Sequence, residues 1–124
     1  MRKILISSGD VSAVAALNDS PTADAVWNAL PLEARANTWG NETYFAIPVH
    51  VKEAADAQEA VDMGALAYWA PGNAFCIFFG RTPASRGNEP RAASAVNVFG
   101  QVEGDATIFT RVPSGARITV DAAS

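Results

Sequence analysis

Apolar stretches in this chain are short, and each ends at a turn signal within a few residues. That punctuation excludes long helices and favours many short strands. Arg2 to Ser8 places Ile4 and Ile6 on one face of a strand, and Ser8-Gly9-Asp10 turns the chain. Val11, Ala13, Ala15 and Leu17 then alternate as a second strand, giving an N-terminal hairpin. Thr43 to Ile47 reads as a strand limited by Pro48. Ala65 to Ala70 and Ala74 to Phe79 are apolar runs joined by Pro71-Gly72-Asn73, and read as paired, buried strands. Glu33 to Trp39 looks extended, and Gly40-Asn41 is a turn. Ala95 to Val102 is a strand, and Ile118 and Val120 close the sheet.

Helices are few. Ser20 suits an N-cap and Pro21 the first helical position, where its missing N–H costs nothing. Ala23, Val26, Trp27 and Leu30 then form one apolar stripe, with Trp27 and Leu30 expected to point inward, before Pro31 stops the helix. Ala54 to Val61 is alanine-rich with Asp56, Glu59 and Asp62 interspersed, which predicts a short exposed helix with Gly64 as its C-cap. Ile108, Phe109 and Val112 suit a helical turn. Arg81 to Arg91 is the longest irregular stretch and a natural place for functional variation. The sum is about eight short strands, in a single domain spanning 1–124, and such sheets commonly protect their edges by closing into a barrel.

Composition narrows the partners. The net charge of −4 and the scattered placing of nine Lys and Arg leave no electrostatic footprint for nucleic acid or anionic lipid. Neither partner is expected. A single cysteine, Cys76, rules out an internal disulfide. Ile4-Leu5-Ile6 is too short for a secretory core, so a cytoplasmic location is the expectation.

Several stretches together resemble the cyclophilin-like family of small bacterial proteins. They are Ser20-Pro21-Thr22-Ala23, Leu30-Pro31, Thr38-Trp39-Gly40, Glu42-Thr43-Tyr44-Phe45 and Ala67-Tyr68-Trp69-Ala70-Pro71-Gly72. Cys76-Ile77-Phe78-Phe79-Gly80, Thr82-Pro83 and Ala95-Val96-Asn97-Val98-Phe99-Gly100 complete the set. The resemblance implies a mainly β fold: a closed eight-stranded cyclophilin-like β-barrel capped by two or three short helices. It also implies a groove on an outer face, beside the strand carrying Phe78-Phe79.

The chain departs from true cyclophilins, the peptidyl-prolyl isomerases, where their chemistry sits. Their arginine after an aromatic-histidine pair has no counterpart in Thr38 to Phe45, which carries Glu42 instead. Their Gln-Gly-Gly-Asp stretch is missing after Pro48, and Arg81 to Ser94 holds neither Trp nor His. Isomerisation works against a barrier of about 20 kcal/mol and needs a donor aimed at the proline nitrogen. Phe45, Trp69, Phe78 and Phe79 would supply an apolar pocket, while Arg35, Arg81 or Arg91 would have to replace the donor from another position. Weak or absent isomerase activity is expected.

The candidate ligand-binding residues are Trp39, Glu42, Tyr44, Phe45, Tyr68, Trp69, Phe78, Phe79, Arg81 and Thr82. Adjacent Tyr68 and Trp69 point to opposite sides of a strand, so one of them faces a groove or solvent. Glu42 and Arg81 are expected to orient a polar ligand over an aromatic floor if the fold brings them together. No catalytic residue is assigned. His50 is the sole histidine, no Gly-x-Ser-x-Gly elbow surrounds Ser85 or Ser94, and one His with one Cys makes no typical zinc site. Neither metal nor cofactor is expected. Cys76 reads as inert strand packing. Three functions remain open: a module binding a small molecule or peptide, a divergent prolyl isomerase, and a small-metabolite enzyme with Glu42 as acid–base. A homodimer is compatible with each.

Overall fold

The computed structural model describes residues 2–123. β1 (Lys3–Ser8) and β2 (Val11–Leu17) form the expected hairpin, with Ile4 paired to Ala15 and Ile6 to Ala13 on the buried face. Helix α1 (Pro21–Ala29) begins as the sequence predicts, with Ser20 Oγ accepting the Ala23 N–H. Its inward face is Thr22, Ala23 and Val26, small side chains that let it lie close against the sheet. Trp27 and Leu30 pack against the core as the stripe predicts, but at its margin, where both stay half-buried. The helix stops at Ala29, so Leu30 leaves the helical register, while Trp27 lies under the guanidinium of Arg2, 5.6 Å from its ring centre.

The remaining strands are β3 (Leu32–Arg35), β4 (Asn37–Thr38), β5 (Glu42–Ala46), β6 (Gln58–Ala60), β7 (Ala65–Trp69), β8 (Ala74–Phe78), β9 (Arg91–Val102) and β10 (Arg117–Ala122). All pairings are antiparallel, in the order β3-β10-β1-β2-β9-β7-β8-β5-β4, with β6 laid on β9. Pro71 and Gly72 fall in a 3-10 turn between β7 and β8, and Ala106–Arg111 is a longer one that seats Phe109 in the core.

Two expectations need correcting. The sheet has ten strands, and its hydrogen-bond ladder does not close. Its edges β3 and β4 are nevertheless consecutive in the chain, separated by buried Ala36, whose N–H donates to the Ala116 carbonyl. One extended stretch therefore supplies both edges, its first half on β10 and its second on β5.

The expected helix at Ala54 to Val61 is also absent. Eight residues cannot hold a helix in water on propensity alone, so tertiary partners decide. The Ala54 N–H donates to Asn97 Oδ1, the Val61 N–H to the Pro90 carbonyl, and Gln58 pairs with Val96. Gly64 turns the chain into β7 instead of capping a helix.

The central strands carry apolar residues on both faces. Phe45 and Phe75 stack at 4.9 Å, Phe75 meets Phe99 edge-on at 5.1 Å, and both pairs sit in the larger core with Leu66, Tyr68 and Ile77. The alternate residues Ala65, Ala67, Ala74, Cys76 and Phe78 form a smaller cluster on the opposite face, under Val61, Ala92 and Val96. Among the described residues no helix is long and apolar enough to cross a membrane.

Candidate functional site

The smaller cluster ends at a cavity of about 240 Å³ on that outer face. Its position follows from strand alternation. Tyr68 points inward and is 1% exposed, its hydroxyl 2.6 Å from the Val49 carbonyl and 2.9 Å from Asn73 Oδ1. Trp69 therefore points outward, half-buried, and its indole N–H donates to Ser94 Oγ at 2.7 Å. Gly72 provides the seat for that ring: a Cβ there would stand 2.8 Å from it.

Trp39 and Glu42 reach the cavity through a tight turn. Each donates its backbone N–H to the other's carbonyl, at 2.9 Å and 3.2 Å, leaving Gly40 and Asn41 as the two-residue loop. Gly40 adopts φ +60°, and a side chain there would collide with the Thr82 backbone at 2.9 Å. The tip is pinned by the Asn41 N–H to the Arg81 carbonyl and the Phe79 N–H to the Asn41 carbonyl.

Tyr44 follows two residues after Glu42 on β5 and faces the same side. It pairs directly with Cys76, whose other neighbour across the sheet is Ala67. Ala92, Ala93 and Val96 of β9 form the far wall. Alanine at these places leaves space that a larger side chain would fill.

Glu42 is the unusual group. Its residue is 6% exposed, yet its carboxyl borders the cavity and pairs with no lysine or arginine among the described residues. Burial pushes its pKa up to about 7, partly offset by a hydrogen bond with the Cys76 thiol. The same burial, with Glu42 alongside, holds the Cys76 thiol well above its ordinary range, so it is a poor nucleophile at neutral pH.

Of the ten candidates, the cavity brings together Trp39, Glu42, Tyr44 and Trp69. Phe45, Tyr68 and Phe79 belong to the inner core, and Phe78 shares the outer face but is sealed there. Of the expected proline pocket, only Trp69 lines the cavity. Arg81 is exposed and away from it, so the expected Glu42–Arg81 clamp is not formed. Thr82 is buried, its hydroxyl donating to the Arg91 carbonyl and securing the loop before β9. That loop is further fixed by Glu89, whose carboxylate accepts the Arg86 and Gly87 N–H groups and Arg91 Nε. These bonds hold the Glu89 carboxyl at about 2.

Cys76, Ala92, Ala93 and Val96 were missed as lining residues. The period of two would have put Cys76 on Trp69's face once β7 and β8 were paired in register, but β9's approach is a long-range event no local pattern announces. Among the described residues no three His, Cys, Asp or Glu side chains converge as metal ligands, and His50 is exposed beyond β5.

Residues 2–121 match the family model described as cyclophilin-like. The solution structure of a hypothetical protein from Archaeoglobus fulgidus is 34% identical, with a TM-score of 0.82, covering 98% of this chain and 95% of that one. No curated protein matches.

Proposed function

The chain belongs to the cyclophilin-like family, and from that premise we propose that it is a binding module that seats a small molecule, or one side chain of a peptide, between Trp39, Tyr44 and Trp69. The observation that carries this reading is the half-exposure of three aromatic rings around one concavity on the outer sheet face. Apolar rings left partly in water favour a partner that covers them. A volume of about 240 Å³ falls just below the range of about 300 to 1,000 Å³ of ordinary ligand sites, so the seated group is small.

Binding is favoured over isomerisation by the lining itself, which includes no arginine. Arg91 is engaged by Glu89 and Glu59, and Arg35 donates to the Gly115 carbonyl. A second reading, acid–base chemistry on a small metabolite, draws on one observation. The Glu42 pKa of about 7 suits proton transfer at neutral pH.

Thermal-shift screening of metabolites and proline peptides tests the first reading. A compound at ~100 times its dissociation constant adds about 2.7 kcal/mol of stability. Ala93→Phe, at an exposed position on the cavity wall, should abolish that shift while changing stability by less than about 0.5 kcal/mol. Shifts that survive Ala93→Phe would move the ligand elsewhere, and proline-peptide turnover proportional to protein concentration would restore isomerisation.

A further inference from the structure

The lining that holds a small ligand also restricts its charge. Three rings, a thiol and a carboxyl face the cavity, with no lysine, arginine or histidine among them. An anion would meet Glu42 and electron-rich rings. A neutral apolar group would satisfy the rings but leave the Glu42 carboxyl buried with only Cys76 beside it. A cation satisfies both at once, through attraction to the ring quadrupoles and to the carboxylate.

Resting on the binding reading above, we infer that the group seated between Trp39, Tyr44 and Trp69 is an alkylated ammonium cation with Glu42 as its counter-ion. Alkylation matches the apolar walls supplied by Ala92 and Val96, where a bare ammonium would lose its water for no replacement donor partners beyond Glu42. The box is built before the ligand arrives. Ser94 holds the Trp69 indole, and the Gly40-Asn41 turn holds Trp39 and Glu42 as a unit. Such pre-organisation lowers the ordering cost of binding.

Protonation of Glu42 is the handle for testing this. The other titratable groups facing it are Cys76 from β8, whose thiol lies far above neutral, and Tyr44 from its own strand. The cation therefore competes with one proton, and its affinity should rise with pH through about 7.

The experiment titrates isotope-labelled protein with choline and with its carbon isostere, in which a quaternary carbon replaces the nitrogen. Binding is read at the indole N–H resonances of Trp39 and Trp69. At about pH 8 choline should bind at least about tenfold tighter than the isostere, and by about pH 6 most of that preference should be gone. Glu42→Gln should remove most of the preference, leaving only the part the rings supply, while keeping the isostere's affinity. Should that variant fail to fold, the wild-type pH series decides alone. Equal affinities, or a preference insensitive to pH, would overturn the cation while leaving the cavity as a binding site. Silence toward both compounds, with neutral fragments shifting the same resonances, would do the same, and silence toward every compound would overturn the binding reading as well.

Discussion

The two faces of β5, β7 and β8 are both apolar and aromatic, yet one is a core and the other a container. Inside, Phe45, Phe75 and Tyr68 are sealed within the larger core, with Phe99 of β9 edge-on to Phe75. Outside, Tyr44 and Trp69 stand on the same strands and remain half-exposed. Residue type does not separate the faces. Coverage does: the outer face receives only β6, Val61 and the start of β9, whose residues there are mostly alanine and valine. A site arises where the second layer runs out.

The largest expected effect tests that contrast directly. Phe75→Ala should cost about 3 to 5 kcal/mol in denaturant unfolding, because it opens a cavity between Phe45 and Phe99. Trp69→Leu should cost much less stability and instead remove ligand response. Equal losses at the two positions would erase the distinction between core and container.

Glu42→Gln comes next, and its sign depends on pH. A carboxyl raised in the folded state from 4.5 to about 7 favours folding most when protonated, and that advantage disappears as pH rises across this window. At about 1.4 kcal/mol per pH unit, ionised Glu42 opposes folding by at most about 3 kcal/mol above pH 7. The variant should therefore be more stable than the parent at about pH 8 and nearly equal to it at about pH 4. Denaturant midpoints across pH would check this; a difference independent of pH would place Glu42 in water.

Thr43 offers a smaller test from the inner side. It is fully buried, shares the alternation of Phe45, and its hydroxyl has no hydrogen-bond partner. Thr43→Val should stabilise by about 1 kcal/mol, since the orphaned hydroxyl is lost and the shape kept. Loss of stability on thermal unfolding would mean that the hydroxyl is satisfied after all.

The smallest effect concerns the loop beside the container. Glu89→Gln should leave global stability nearly unchanged while speeding hydrogen exchange at Arg86 and Gly87, whose N–H groups the carboxylate accepts. Unaltered exchange would show that Thr82 and Ser85 hold the loop unaided.

The sequence was legible where interactions are local. Ser20-Pro21 starts a helix because an N-cap and a fixed φ act within one turn, and Tyr68-Trp69 divides between faces because pleating has a period of two. It misled at Ala54 to Val61, where local propensity was too weak to resist Asn97, Pro90 and β9. Phe78 shows a subtler failure. Alternation gives it Trp69's face, but only the cover of Val61 decides that it is sealed while Trp69 is not.

Sequence by itself therefore determined the turns, the hairpin, the helix start, the division of Tyr68 and Trp69 between opposite faces and the family, all of which follow from short-range rules or ordered motifs. The tertiary structure alone decided that Leu32 to Thr38 serves both sheet edges, that Cys76 and the β9 alanines complete the cavity, and that Arg81 stays out of it. Those outcomes depend on register between strands far apart in the chain, such as Ala67 with Val98, and on what finally covers each face. Neither is encoded in any window of neighbouring residues.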